Sequence, residues 1–374
     1  MRTSIFCRSI CAFLLLASSV SYADSYKVNR LNEGQPIISS ATFAALNADH
    51  EEGENIQGPS VIRVPDWIPS AMRPSPEARY YLYFAHHNGT YLRMAWAAQI
   101  EGPWHLYRSG ADFETGHRGV LDMGGGKTLH IGNGVTVKNH IASPDVHVDD
   151  YRKLIVMYFH GPTLFHGEYV GQKTFVATSS FGLDFQAGIK PVMLGPAYFR
   201  VFSYMGESYA LSGGGQFHQA PDPTTPWASP AKNNSGKDLW SSGSRPFEAD
   251  LFAAGVSGQL RHTAAHLYND RLSVFYTRIA DSPERILLST VDLGKGEFTS
   301  WDPDYPPLEV LRPELPWEGA MLPLSPSEQG AARDKVNQLR DPAIFQDVDG
   351  SLYLFYSGGG ERAIGLARLM PVAN

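Results

Sequence analysis

Gln338-Leu339-Arg340-Asp341-Pro342-Ala343-Ile344-Phe345, then Gly350 and Ser351-Leu352-Tyr353-Leu354-Phe355-Tyr356, then Ala363-Ile364-Gly365-Leu366-Ala367-Arg368, is the stretch whose reading decides the fold. A polar knot opens a short strand, a small turn reverses it, and an aromatic-rich strand returns. Alternation on this scale is strand periodicity.

Four weaker copies precede it. The first runs Gly58-Pro59-Ser60-Val61-Ile62-Arg63-Val64, then Tyr80 to Ala85, then Leu92 to Ala97. The second runs Ser143 to Val148, Leu154 to Phe159, then Thr174 to Thr178. The third, Tyr198 to Phe202 and Ser208 to Leu211, has no clear third strand; the fourth runs Arg261 to His266, Leu272 to Tyr276, then Arg285 to Val291. No segment beyond about ten residues carries the helical period that an α/β fold requires. The pattern predicts an all-β fold, a five-bladed β-propeller built from residues 24–374 as a single domain. Residues 24–57 are expected to form an arm that wraps the domain and can close it by adding a strand. A β-sandwich is the alternative, but it gives no reason for one polar-to-strand transition to recur at a fixed place in each unit. Two irregular segments, Ala220 to Gly258 and Trp301 to Asn337, are candidate functional loops.

The N-terminus reads as a signal peptide, residues 1–23: Arg2 and Arg8 precede an apolar run from Cys11 to Leu16, and Ser21-Tyr22-Ala23 offers small residues for cleavage. Its removal places the protein in the periplasm or outside the cell and takes away both cysteines, Cys7 and Cys11, so disulfides and thiolate chemistry are excluded from the mature chain. Of 31 basic residues 29 then face 38 acidic ones, with no basic run among them, which argues against nucleic acid and anionic membrane as partners. Charged residues make up 18% and aromatics 12%, a composition suited to pleated sheets with tight turns. A monomer is expected.

In a propeller the first strand of each blade lines the central channel. Aligning the copies puts Gly58, Ser143, Tyr198, His262 and Asp341 in one column at the channel mouth, preceded by Gln57, Ala142, Ala197, Arg261 and Arg340. Gly58-Pro59-Ser60-Val61-Ile62-Arg63-Val64 with Tyr81-Leu82-Tyr83 resembles the Asp-Pro-Ser-Val-Ile-Arg-Val motif of the five-bladed glycosidases, the arabinanases, xylosidases and invertase-like enzymes of glycoside hydrolase families 43, 62 and 32. Ser143-Pro144-Asp145-Val146 is similar to their second Asp-Pro motif. The resemblance implies an aspartate base on blade one, an assisting aspartate on blade two and a glutamate acid on blade three. The matching positions here are Gly58, Ser143 and Leu194, so that triad does not carry over.

Three residue sets remain. Asp341 and Asp145 are the carboxylates nearest the mouth and could share acid and base duty, at about 5 Å apart for retention or about 6.5 to 9.5 Å for inversion; each could equally cap a turn. Glu361 and Glu284 open third strands, each followed by arginine, and fit a buried bond to backbone or arginine that fixes a blade turn better than they fit catalysis. His87 and His160, with His86, His140 and His262, could gather at the mouth; no metal and no cofactor is assigned. Arg200, Arg261 and Arg340 start channel strands, and any of them left free of internal carboxylates would point to an acidic sugar. The leading reading is a secreted glycoside hydrolase acting on an oligo- or polysaccharide, with Asp341 and Asp145 catalytic and His87, His160, Arg200, Arg261, Arg340 and Glu361 holding substrate. A lyase or dehydratase eliminating from a uronic acid through His262 and Tyr198 is the rival. A non-catalytic sugar-binding propeller is the third.

Overall fold

Five antiparallel sheets stand in a ring, a five-bladed β-propeller. The computed structural model describes residues 25–44, 53–107, 118–227, 236–247 and 260–372; the expected signal segment and both cysteines lie outside them. Blade one comprises Gln57–Arg63, Tyr80–Ala85, Tyr91–Ala97 and His105–Tyr107. Blade two has Ala142–Asp149, Leu154–Phe165, Glu168–Ser179 and Gly195–Pro196, and its long second strand also pairs with a hairpin, Thr128–Gly132 and Val135–Lys138. Blade three is Arg200–Tyr204, Glu207–Leu211, Phe217–Gln219 and Ser241–Ser242. Its third strand is too short to display a period, which is why the sequence does not reveal it.

Blade four is Leu260–Tyr268, Arg271–Arg278, Ile286–Asp292 and Leu308–Leu311. Blade five takes Leu339–Gln346, Leu352–Gly358 and Ala363–Pro371 from the C-terminal end of the chain and its outermost strand, Tyr26–Arg30, from the N-terminal end. That pairing runs from Tyr26 opposite Pro371 to Arg30 opposite Ala367, so the two ends of the chain share one blade and the ring is closed. Arg30 fastens it: its guanidinium reaches fully buried Glu318 at 2.8 and 2.9 Å, and Glu318 also accepts from Tyr356 Oη at 2.8 Å. The irregular Trp301–Asn337 segment thus supplies a structural carboxylate. Ser241–Ser242 lies inside the other irregular segment and forms the outer edge of blade three.

Five hydrophobic clusters occupy the five wedges between neighbouring blades. On blade one, Tyr81 and Tyr83 face blade two, packing with Met157 and Phe159. Leu82 and Phe84 face blade five, packing with Phe355 and Leu366. Period-2 geometry sends alternate residues of one strand to opposite wedges, so second strands read as nearly continuous apolar runs. The other wedges repeat the arrangement, Tyr276 with Phe217, Phe275 with Leu354, and Val156 with Trp240. Fully burying one such side chain is worth about 1.5–3 kcal/mol, and here it also sets the angle between blades.

Candidate functional site

Four of the five innermost strands break register where they start, and only that of blade three, Arg200–Tyr204, pairs without a shift. The shift falls between Gln57 and Ser60, Ala142 and Asp145, Leu260 and Thr263, and Arg340 and Ala343. Gly58, Ser143 and Asp341 adopt positive φ of 65°, 48° and 49° at three of these bulges, His262 occupies the fourth, and Tyr198, with φ of 69°, stands just before the regular first strand of blade three. A left-handed residue in a bulge turns its side chain out of the ladder, and such strain collects at functional sites. The column read from the sequence is therefore four bulge residues and one left-handed residue, Tyr198, ahead of a regular strand. At Gly58 an added Cβ would lie 3.2 Å from Ser143 Cα, and φ is 65°, so a side chain here would be strained and would need Ser143 to give by a few tenths of an ångström.

Around the mouth the side chains form a closed circuit. Asp341 Oδ1 contacts His262 Nδ1, while its Oδ2 accepts from Gly58 N and Ser357 Oγ, each at 3.3 Å. The His262 ring lies 4.6 Å from Tyr198, Tyr198 lies 4.1 Å from His160, His160 lies 6.4 Å from His140, and His140 lies 6.5 Å from His87. His87 Nδ1 is 3.3 Å from Glu361 Oε1, and Arg340 Nη1 holds that same oxygen at 2.9 Å, beside Asp341 in sequence. Among the described residues, no group of three or more His, Cys, Asp or Glu side chains is arranged to hold a metal ion.

Behind the ring runs a buried charge chain. Arg261 Nε donates to Glu284 Oε1 at 2.8 Å, and Arg340 Nε lies 3.2 Å from Glu284 Oε2. Gly330 O accepts from both arginines, at 3.2 and 3.1 Å, so the irregular segment before blade five seats them. Gln338 Oε1 completes Arg340 at 2.6 Å. Arg261 and Arg340 are thus engaged with Glu284 and Glu361. Arg200 spans blades two to four, donating to the carbonyls of Thr263 at 3.1 Å and Pro144 at 3.3 Å.

Electrostatics follow from these contacts. Burial works to raise the Asp341 carboxyl, but the His262 contact and the charges of Arg340 and Arg261 outweigh it and hold the group well below the ordinary carboxylate range. Burial likewise opposes ionisation of Glu361, and His87 and Arg340 overcome it, so this carboxyl is also lowered. Burial pushes Tyr198 up to about 12, with Asp341 and Glu361 adding to it. Burial lowers His140 to about 4, and drives His160 well below its usual value with His140 and His262 reinforcing it. The mouth therefore offers ionised carboxylates, a protonated phenol and neutral imidazoles at His140 and His160. With Asp341 on Nδ1, Nε2 is the remaining ring nitrogen of His262.

Asp145 lies elsewhere. Two residues beyond the blade-two bulge, it binds His147 Nε2 at 2.8 Å and the Val201 amide at 2.8 Å, and lines a channel cavity of about 160 Å³ shared by all five first strands. Its contacts lie on blades two and three, and none is a ring member. Asn55, which the sequence reading passed over, donates to Glu361 Oε2 at 2.6 Å and accepts from the His87 amide at 2.8 Å. It sits in the unpatterned arm just before the first strand, where no periodic signal marks it. Glu284 carried only the signal of preceding an arginine at the start of a third strand.

No protein-family model matches the sequence. The uncharacterized protein R118 of Acanthamoeba polyphaga mimivirus is 33% identical over 319 residues, which span 84% of this chain and 83% of the viral protein. The chain belongs to its family. Among solved structures, a thermostable family-43 glycoside hydrolase superimposes with a TM-score of 0.51 at 13% identity, covering 86% of this chain and 97% of its own. An alpha-L-arabinofuranosidase from Lactobacillus brevis gives a TM-score of 0.50 at 12% identity, covering 89% and 92%. At these identities the shared property is the fold, a five-bladed β-propeller.

Proposed function

We propose that the protein is a carbohydrate-active enzyme that hydrolyses a glycosidic bond at the channel mouth. The observation that carries this reading is the Asp341–His262 contact at the channel mouth, with the Tyr198 ring against His262. Hydrolysis needs a proton for the leaving oxygen and a base for water. Asp341 and Glu361 are both held ionised, so neither is suited to be the acid. His262 and Tyr198 are the proton-handling groups, and Asp341 is a positioning residue that fixes the imidazole. The two glycosidase structures lend the substrate class by analogy of fold.

The acidic-substrate expectation depended on a free arginine, and Arg261, Arg340 and Arg200 are each engaged within the protein. Export belongs to the same proposal; N-terminal sequencing of the purified mature protein beginning at Met1 would remove it. For activity, the protein is incubated with a panel of aryl glycosides and oligosaccharides while reducing ends are measured. New reducing ends that vanish in His262→Asn support hydrolysis; none from any substrate removes it.

A second reading, elimination, is favoured by one feature: Tyr198 stands between two imidazoles, 4.1 Å from His160 and 4.6 Å from His262. It predicts ultraviolet absorbance of an unsaturated product from uronate-containing oligosaccharides, which hydrolysis does not generate.

A further inference from the structure

The innermost strand of blade two runs from the mouth at Ala142 to Asp149 on the opposite face of the ring. There blades two and three part around a cleft of about 820 Å³ whose walls include His147, Asp149, Tyr151, Tyr158, Phe202 and Trp227. That volume falls within the range of small-ligand sites.

Its side chains are held in place. Tyr151, at a hairpin tip, is 91% exposed. Arg152 pairs with Asp149 at 2.7 Å, and its guanidinium lies 5.9 Å from the Tyr151 ring centre and 6.0 Å from that of Trp227. His147 is fixed through Nε2 by Asp145 while its side chain stays 39% exposed. Tyr158 is only 4% exposed, and its hydroxyl makes no hydrogen bond among the described residues. A phenol hydroxyl with no protein partner, open to the cleft, is free to bond water or a ligand hydroxyl.

We propose that this cleft is a second saccharide-binding site, separate from the ring at the mouth. Tyr151 and Trp227 stack against the C–H faces of sugar rings, while Tyr158 and His147 hold hydroxyls, the division of labour that amphipathic rings suit. A saccharide as the ligand rests on the carbohydrate reading given above. Asp145, in this assignment, positions His147 in the cleft.

The test uses the His262→Asn protein, so that turnover at the mouth does not consume the probe. An array of neutral and uronate-bearing oligosaccharides is screened, and hits are titrated calorimetrically. Adding Tyr151→Ala or Tyr158→Phe should each weaken binding about fivefold or more, as loss of one stacking contact or one hydrogen bond predicts. Neither change threatens the fold, one being at an exposed tip and the other removing a single oxygen. Unchanged affinity in both variants overturns the proposal, as does failure of the His262→Asn protein to retain any oligosaccharide. Turnover of small aryl glycosides by the unsubstituted protein judges the hydrolase reading separately.

Discussion

Glu284→Gln removes one charge from the chain that seats the ring and keeps the side chain's shape. Glu284 is fully buried, with Arg261 at 2.8 Å and Arg340 at 3.2 Å, and those arginine side chains are 5% and 2% exposed. After the change Arg340 retains Glu361 at 2.9 Å, but Arg261 keeps only an amide oxygen and the carbonyls of Gly330 and Glu328. Leaving a buried charge uncompensated costs about 3–5 kcal/mol, a large share of the roughly 5–15 kcal/mol that separates folded from unfolded states. Urea unfolding should therefore show a midpoint well below that of the parent with an unchanged slope. The double variant Arg261→Met/Glu284→Leu should recover part of the loss, because both charges leave together. A single variant within about 1 kcal/mol of the parent, or a double variant that loses as much as the two single changes summed, would refute the assignment of Glu284 as the compensating charge.

Asp341→Asn should lower turnover by about 10²-fold or more with KM little changed, since it disturbs the imidazole's orientation and leaves the binding surface in place; steady-state kinetics on any substrate found above checks this, and unaltered kcat removes Asp341 from the positioning role. Stability should fall as pH drops from about 6.5 towards 4, because half-buried His86 and His140 and fully buried His218 are each lowered to about 4 and the unfolded chain then binds protons that the folded one refuses. Melting curves across that window test the sign, and His218→Gln should flatten the slope. Gly319→Ala should destabilise by more than about 1 kcal/mol, since φ is 90° and the added Cβ would sit 2.1 Å from Val336 O; a melting temperature equal to the parent's would contradict this geometry.

The propeller was legible because its signal is local and repeated. Each second strand is buried on both faces, so Tyr80 to Ala85 and Leu352 to Tyr356 appear as unbroken apolar runs wherever they occur. Blade three's third strand and most outer strands were not legible, being only two to five residues long. In the site, the column of Gly58, Ser143, Tyr198, His262 and Asp341 could be aligned from the repeat, and His86, His87 and His160 could be grouped at the ends of equivalent apolar runs, although His160 proves to lie within its strand. Their partners could not.

What the sequence by itself determined is therefore the repeat, the five blades and the identities of the side chains placed at the mouth. A periodic pattern specifies which face a residue takes and how far along a strand it lies. Only the tertiary structure decided that Asp341 meets His262, that Glu284 joins Arg261 to Arg340, and that Asp145 binds His147 and Val201 outside the ring. These contacts cross from blade to blade or follow a bulge that re-aims the side chain. Their geometry is fixed by packing in the wedges between blades, so a linear pattern carries no record of it.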